Sequence, residues 1–211
     1  MKIAFLGYGQ VGAPLADHLQ RLGHQVSLAA KDAESASVLK ALERNPHLRV
    51  AEPNSAVGQA EIIFLATPYA ANETVLASVS TELAGKVLID CTNPVGAQLS
   101  HGLNNQQSGT QVIQNQLPTT AVVKAFSIYG FENFEDNQFP NASLKPAMLF
   151  CGNSQSAKQQ VAHLIAELGW DPVDVGGLEQ ALHLEHMTLL WIRLVRLQER
   201  SAHLTWARLE R

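Results

Sequence analysis

The chain has 211 residues, a formal net charge of −4 and 16% charged residues, a length that supports one good-sized core with a short appendage but not a second full catalytic domain. With no basic run, the composition argues against a nucleic-acid groove or an anionic membrane patch. The first residues carry a lysine but neither a long apolar region nor a small-residue cleavage site, so a cytoplasmic protein is expected.

The apolar run from Lys2 to Leu6 feeds directly into Gly7-Tyr8-Gly9-Gln10-Val11-Gly12. A GxGxxG loop between a strand and a helix is the context in which the motif binds a dinucleotide. Gly7 permits the tight turn, Gly9 lets backbone approach a pyrophosphate, and Gly12 lets the helix pack closely on the sheet. The helix that follows carries Val11, Leu15, Leu19 and Leu22 on one stripe, tolerates Pro14 in its first turn and ends at Gly23.

A second strand is expected over residues 25–30. Its tip normally bears an acidic residue that binds the adenosine ribose of NAD. Here Ala29 and Ala30 occupy the tip and Lys31 follows, which suits the extra phosphate of NADP. Asp32 is read as N-cap of a helix over residues 33–42. The competing reading has Asp32 on the ribose and Lys31 merely solvated.

Further strands are expected over residues 48–51, 61–66, 86–90, 121–126 and 147–151, and a helix over 155–168 before Gly169. Continuous apolar runs alternating with helical patterns predict a Rossmann-type, doubly wound parallel sheet. Residues 1–177 are assigned to this domain and 178–211 to a C-terminal helical extension. Cys91 and Cys151 follow apolar runs and read as buried, reduced thiols. Asn141-Ala142-Ser143 matches a glycosylation sequon, without consequence in a chain lacking a secretion signal.

In such a sheet the segments just after the strands converge on the cofactor. They are Ala66-Thr67-Pro68-Tyr69, Cys91-Thr92-Asn93-Pro94 and Phe126-Ser127-Ile128-Tyr129. Together with GYGQVG, VLIDCTNP, VVKAF, LFCGN and DVGGLEQALHLEHMTLLWIRL, they resemble the NADP-dependent reductases of the deazaflavin coenzyme factor 420. The related cytosolic domain of membrane ferric reductases is similar. The resemblance covers about residues 1–195.

The resemblance implies a hydride carrier between NADP(H) and a small-molecule flavin or deazaflavin acceptor bound transiently. It places the pyrophosphate on residues 7–12 and the adenosine phosphate at Ala30 and Lys31, where the family has a serine-arginine pair. It sets the nicotinamide ribose at Ala66, Thr67 and Pro68, the nicotinamide beside Thr92, Asn93 and Pro94, and its carboxamide near the backbone of Ala125. After Val195 the chain departs from the family, whose tail contains glycine.

Hydride transfer between planar rings needs proximity more than a proton donor. Lys124 is a candidate to stabilise charge on a reduced acceptor, against a plain role pairing with a nearby carboxylate. Asn93 either orients the carboxamide or bonds its own turn. The segment from Tyr129 to Phe139 forms an acceptor wall or covers the end of the core. His183 and His186 bracket Glu185, but with no third ligand an exposed or interface face is expected and no metal.

Residues 178–197 form a helix too interrupted by charge to span a membrane. Its apolar face of Leu182, Met187, Leu190, Trp191, Leu194 and Leu197 is expected to pack on the sheet or a second subunit, giving a homodimer. Two other functions stay open: a non-catalytic NADP(H)-sensing module, and a small dehydrogenase or imine reductase of the hydroxyacid or pyrroline-carboxylate type.

Overall fold

Strand alternation sorts the apolar residues of this chain onto two faces of one sheet. Ile3, Phe5, Ile62, Phe64, Val87 and Ile89 belong to one buried cluster, and Ala4, Leu6, Ile63, Leu65 and Leu88 to the other. Both faces must therefore be covered, which is why these strands read as unbroken apolar runs. The computed structural model describes residues 1–140 and 143–211, so the sequon at Asn141 and Ala142 lies outside the described residues.

Among the described residues eight strands make this sheet: β1 (Lys2–Leu6), β2 (Gln25–Ala29), β3 (Arg49–Ala51), β4 (Ile62–Leu65), β5 (Val87–Asp90), β6 (Ala121–Lys124), β7 (Ala147–Gly152) and β8 (Asp171–Asp174). The helices are α1 (Gly12–Arg21), α2 (Ala36–Arg44), α3 (Pro53–Gln59), α4 (Asn72–Ser78), α5 (Ser80–Leu83), α6 (Gly109–Gln116), α7 (Glu132–Glu135), α8 (Gln155–Glu167) and α9 (Ala181–Arg196).

The strand order is β3-β2-β1-β4-β5-β6-β7-β8. The first six strands are parallel, with Phe5 beside Leu28 on one side and Phe64 on the other. Chain order reverses between β1 and β4, and the crevice beyond their C-terminal ends is where α/β sheets bind ligands. Residues of α1, α8 and α9 enter the first cluster, and those of α3, α4 and α6 the second.

The sheet departs from the all-parallel expectation at its far edge, because β7 runs antiparallel to β6, pairing Val123 with Gly152 and Lys124 with Cys151. A parallel return needs a crossover that spans a face of the sheet. The connection between β6 and β7 holds only the four-residue α7 among its described residues, not a long crossover helix, and β7 returns alongside β6. β8 then pairs parallel with β7.

Two smaller expectations also change. Leu22 falls outside α1, after Arg21, and is 48% exposed. In α9 the buried face is Ala181, Leu184, Glu185, Thr188, Leu189, Trp191 and Val195, leaving Leu190 50% exposed, while the expected Leu197 falls just past the helix and is 61% exposed. That face joins the same cluster as β1 and β4.

The end of the chain is stitched to this edge. The Tyr129 hydroxyl donates to the Ala147 carbonyl (2.6 Å) and accepts from the Trp206 amide (3.1 Å). The Ala147 amide donates to the Trp206 carbonyl (2.7 Å), and Trp191 Nε1 to the Leu204 carbonyl (2.7 Å).

Candidate cofactor cleft and the buried network behind it

At the end of β1 the backbone turns at Gly7, φ +92°, directly against the tip of β4. A Cβ on Gly7 would lie 2.5 Å from the Ala66 carbonyl carbon, and one on Gly12 would lie 2.1 Å from the Gly7 carbonyl oxygen. Both positions are closed to any side chain. Gly9 is different, because nothing lies within 4 Å of where its Cβ would be. The loop thus packs through Gly7 and Gly12 and presents bare backbone to open space at Gly9.

That space is a cleft of about 610 Å³ between the tips of β1, β2 and β4. Of the residues expected to bind a cofactor, Gly7, Tyr8, Gly9, Lys31, Ala66, Thr67 and Pro68 line it. Gln10, Val11 and Gly12 continue the loop into α1 without lining the cleft, and Ala30 is buried with its amide on the Ala51 carbonyl (3.0 Å).

The end of the cleft at the tip of β2 holds residues that the sequence reading missed. Ser35 and Ser37 line the cleft with Lys31 and Asp32, and the Ser35 hydroxyl is buried without a hydrogen-bond partner. An orphaned hydroxyl beside an exposed lysine fits an anion. The missed signal was the helix start. α2 begins at Ala36 with Ser35 as N-cap, whereas Asp32 spends its Oδ1 on the Glu34 amide (2.9 Å) in a turn three residues earlier. Asp32 is therefore not the cap.

The residues expected around the nicotinamide sit at the tips of β5 and β6, outside the cleft lining. Asn93 Nδ2 donates to the Ser127 carbonyl (3.0 Å), a group that also accepts from the Thr188 hydroxyl (2.8 Å). Asn93 Oδ1 lies 3.1 Å from that same hydroxyl. Asn93 is thus held between Ser127, just past β6, and Thr188 of α9 rather than by its own turn, with one N–H left outside these bonds. Phe126, the residue before Ser127, takes φ +53°, unusual for a bulky side chain, and turns the chain out of the β6 ladder. Pro94 and Ala125 are buried, the Ala125 amide donating to the Asp90 carbonyl (3.2 Å).

Lys124 has no solvent contact. Its Nζ donates to the Thr92 carbonyl (2.8 Å) and lies 3.4 Å from both Asp90 Oδ2 and Glu185 Oε1. Burial alone would lower its pKa, but the Asp90 and Glu185 carboxylates outweigh that and raise it, so it stays charged. The pairing role is the one its geometry displays. Glu185 also accepts from the Gly109 amide (2.9 Å) at the start of α6 and from His101 Nε2 (2.7 Å). His101 Nδ1 takes the Leu103 and Asn105 amides, so Nε2 carries the proton.

Glu185 corrects the expected exposed His-Glu-His face. It is 1% exposed, while His183 and His186 point to solvent and His186 bonds Asn105 (2.8 Å). Among the described residues no three His, Cys, Asp or Glu side chains are grouped to hold a metal. Tyr129, Phe134 and Phe139 turn their rings to Trp170 and cover the end of the core. No helix among the described residues is long and apolar enough to cross a membrane.

Strand order, glycine loop and switch-point cleft define a protein of the Rossmann dinucleotide-binding class. Residues 2–94 match the family model described as NADP oxidoreductase, coenzyme F420-dependent. The chain is 29% identical to the F420-dependent NADP reductase of Methanothermobacter marburgensis, over 92% of each chain. A proposed F420-dependent NADP reductase from Arthrobacter sp. FB24 superposes over 100% of both chains, with a TM-score of 0.89 and 29% identity. Metalloreductase STEAP3 of Rattus norvegicus is 28% identical over 89% of this chain, which spans only 36% of that relative's length. Over most of its length the chain is thus similar to F420-dependent NADP reductases, and its first 94 residues carry the match to the NADP oxidoreductase model.

Proposed function

We propose that this protein transfers a hydride between NADP(H) and a flavin or deazaflavin acceptor. The observation that carries the reading is the cleft itself, with bare backbone at Gly9 and an orphaned hydroxyl at Ser35 beside Lys31. Both features line the same cleft, as a dinucleotide held by its pyrophosphate at one point and its 2′-phosphate at another requires.

In this reading the backbone of Gly7, Tyr8, Gly9, Gln10, Val11 and Gly12 takes the pyrophosphate, and Ala30, Lys31 and Ser35 take the phosphate end. Ala66, Thr67 and Pro68 hold the nicotinamide ribose, while Thr92, Asn93, Pro94 and the Ala125 backbone hold the ring and carboxamide. When bound, the dinucleotide supplies the hydride and its electron pair. The chain contributes orientation and exclusion of water rather than a proton donor, and Lys124 acts through Asp90 and Glu185 instead of touching the acceptor. A homodimer in the cytoplasm fits the exposed Leu190 of α9, the exposed Leu197 just after it, and the buried free thiols Cys91 and Cys151.

The test is NADPH oxidation by the purified protein, followed by near-ultraviolet absorbance, against FMN, FAD, riboflavin, the deazaflavin coenzyme and ferric chelates in parallel. Turnover with a flavin or the deazaflavin is the expected result. Tight NADPH binding with no turnover on any of them would instead favour a sensing module or a carbonyl or imine substrate.

A further inference from the structure

The buried carboxylate of Asp90 is connected to the cleft by hydrogen bonds whose direction is fixed at every step. Asp90 lies at the end of β5 with no exposed surface, and an ionised carboxylate only accepts. Its Oδ1 takes the Thr92 amide (2.9 Å) and the Thr92 hydroxyl (2.7 Å), and its Oδ2 the Thr110 hydroxyl (2.7 Å). Since the Thr92 hydroxyl has given its only proton to Asp90, towards Asn72 it can only accept. The Asn72 amide nitrogen meets it at 2.8 Å, which turns the Asn72 carbonyl towards Thr67. The Thr67 hydroxyl then donates to Asn72 Oδ1 (2.8 Å). Asn72 is 4% exposed, and Thr67 lines the cleft.

From this chain of bonds we infer that Asn72 is a positioning residue that sets the Thr67 hydroxyl as an acceptor towards the cleft, selecting a ligand group that donates, such as a sugar hydroxyl. With its proton spent on Asn72, Thr67 Oγ1 offers the cleft lone pairs and no donor. A phosphate or carboxylate oxygen at this point meets only repulsion, whereas an O–H is received. The cleft is then polarised along its length: cation and free hydroxyl at Lys31 and Ser35, acceptor at Thr67. A dinucleotide can enter in one sense only, with its anionic end at α2 and a ribose at the Ala66-Thr67-Pro68 turn. Lys124 and Glu185 enter because the Lys124 ammonium lies 3.4 Å from both Asp90 Oδ2 and Glu185 Oε1 and is the cation that faces the buried Asp90 carboxylate.

This inference rests on the cofactor reading above, and binding rather than turnover tests it. NADPH and 2′,5′-ADP, which lacks the nicotinamide riboside, are titrated calorimetrically into the wild type and into Asn72→Leu, Thr67→Val and Thr67→Ser. The expected result is that Asn72→Leu and Thr67→Val each weaken NADPH about five- to tenfold, the worth of one hydrogen bond, with 2′,5′-ADP unchanged. Thr67→Ser, which keeps the hydroxyl, restores NADPH affinity. Should Asn72→Leu fail to fold, the Thr67 pair carries the test, since Thr67 is at the cleft surface. Undiminished NADPH affinity in Thr67→Val, or an equal loss for both ligands, overturns the inference while leaving the cofactor reading intact. A wild type that binds neither ligand overturns both.

Discussion

Lys124 in β6 and Glu185 in α9 form an ion pair at 3.4 Å in which neither side chain exposes more than 1% of its surface. Taking such charges out of water costs several kcal/mol per ion, and removing one partner leaves the other buried and uncompensated. Lys124→Met strands both Asp90 and Glu185. It is expected to destabilise the fold by about 3–5 kcal/mol, read from urea unfolding at pH 7. Adding Glu185→Gln to that variant removes one stranded charge and recovers part of the loss; no recovery would show that the pair is not coupled.

The glycine loop separates packing from binding. Gly12→Ala drives a methyl group into the Gly7 carbonyl, an overpacking expected to cost about 1–3 kcal/mol or more. Gly9→Val meets open space and keeps its melting temperature, yet loses NADPH binding because the side chain occupies the pyrophosphate's approach. Thermal melts paired with NADPH titrations check both, and a Gly9→Val protein with native affinity would rule out the loop as the phosphate site.

In the proposed cofactor reading, phosphate selectivity belongs to the tip of β2. Lys31→Ala should weaken NADPH by about 1.5–3 kcal/mol, the worth of a hydrogen bond to a charged group, with NADH nearly unchanged. Ser35→Ala should lose about 1 kcal/mol, again for NADPH alone. Equal losses for the two nucleotides would move the phosphate elsewhere.

Asp17 on α1 provides an acid-sensitive tie to α2. It accepts from Arg21 Nε (2.6 Å), Arg44 Nε (3.1 Å) and Asn45 Nδ2 (2.9 Å). Burial alone would raise its pKa, but these hydrogen bonds outweigh burial and hold the carboxyl below its usual range. In acid the unfolded chain therefore binds a proton that the folded chain resists. The stabilisation is complete above the unfolded pKa of about 3.9 and disappears as pH falls through the lower folded value. Asp17→Asn should melt below the wild type at pH 7, with the gap closing towards pH 3. A gap that stays constant with pH would contradict this assignment.

The sequence revealed the elements whose signals are local. β4 and β5 are fully buried and β1 is buried from Ile3 onward, so all three read as apolar runs, and the glycine loop marks where β1 meets its helix. β8 escaped because Asp171-Pro172-Val173-Asp174 is a half-covered edge strand, where proline and carboxylates are tolerated. The reversal of β7 has no local signature either, since strand direction is decided by pairing with the distant β6 and not by the residues of β7 itself. Glu185 looked like part of a solvated His-Glu-His face because its partners, His101 and Gly109, lie 84 and 76 residues away in sequence. Ser35 was hidden by Asp32, an equally good helix cap placed three residues too early.

The seam between Tyr129, Ala147, Trp191 and the tail at Leu204 and Trp206 sets an order of events on the ribosome. Leu204 and Trp206 are translated after everything they bind, so the Trp191 indole and the leading edge of β7 stay unsatisfied until residues 204–206 have emerged. The glycine loop, the β2 tip and the β4 turn are all contained in the first 68 residues, and β5 in the first 90. Domains form from the N-terminus at roughly 5–20 residues per second during synthesis. A nascent chain halted before residue 200 would thus carry the strands of its nucleotide cradle with its far edge still open, and its survival would depend on what shields that edge in the meantime.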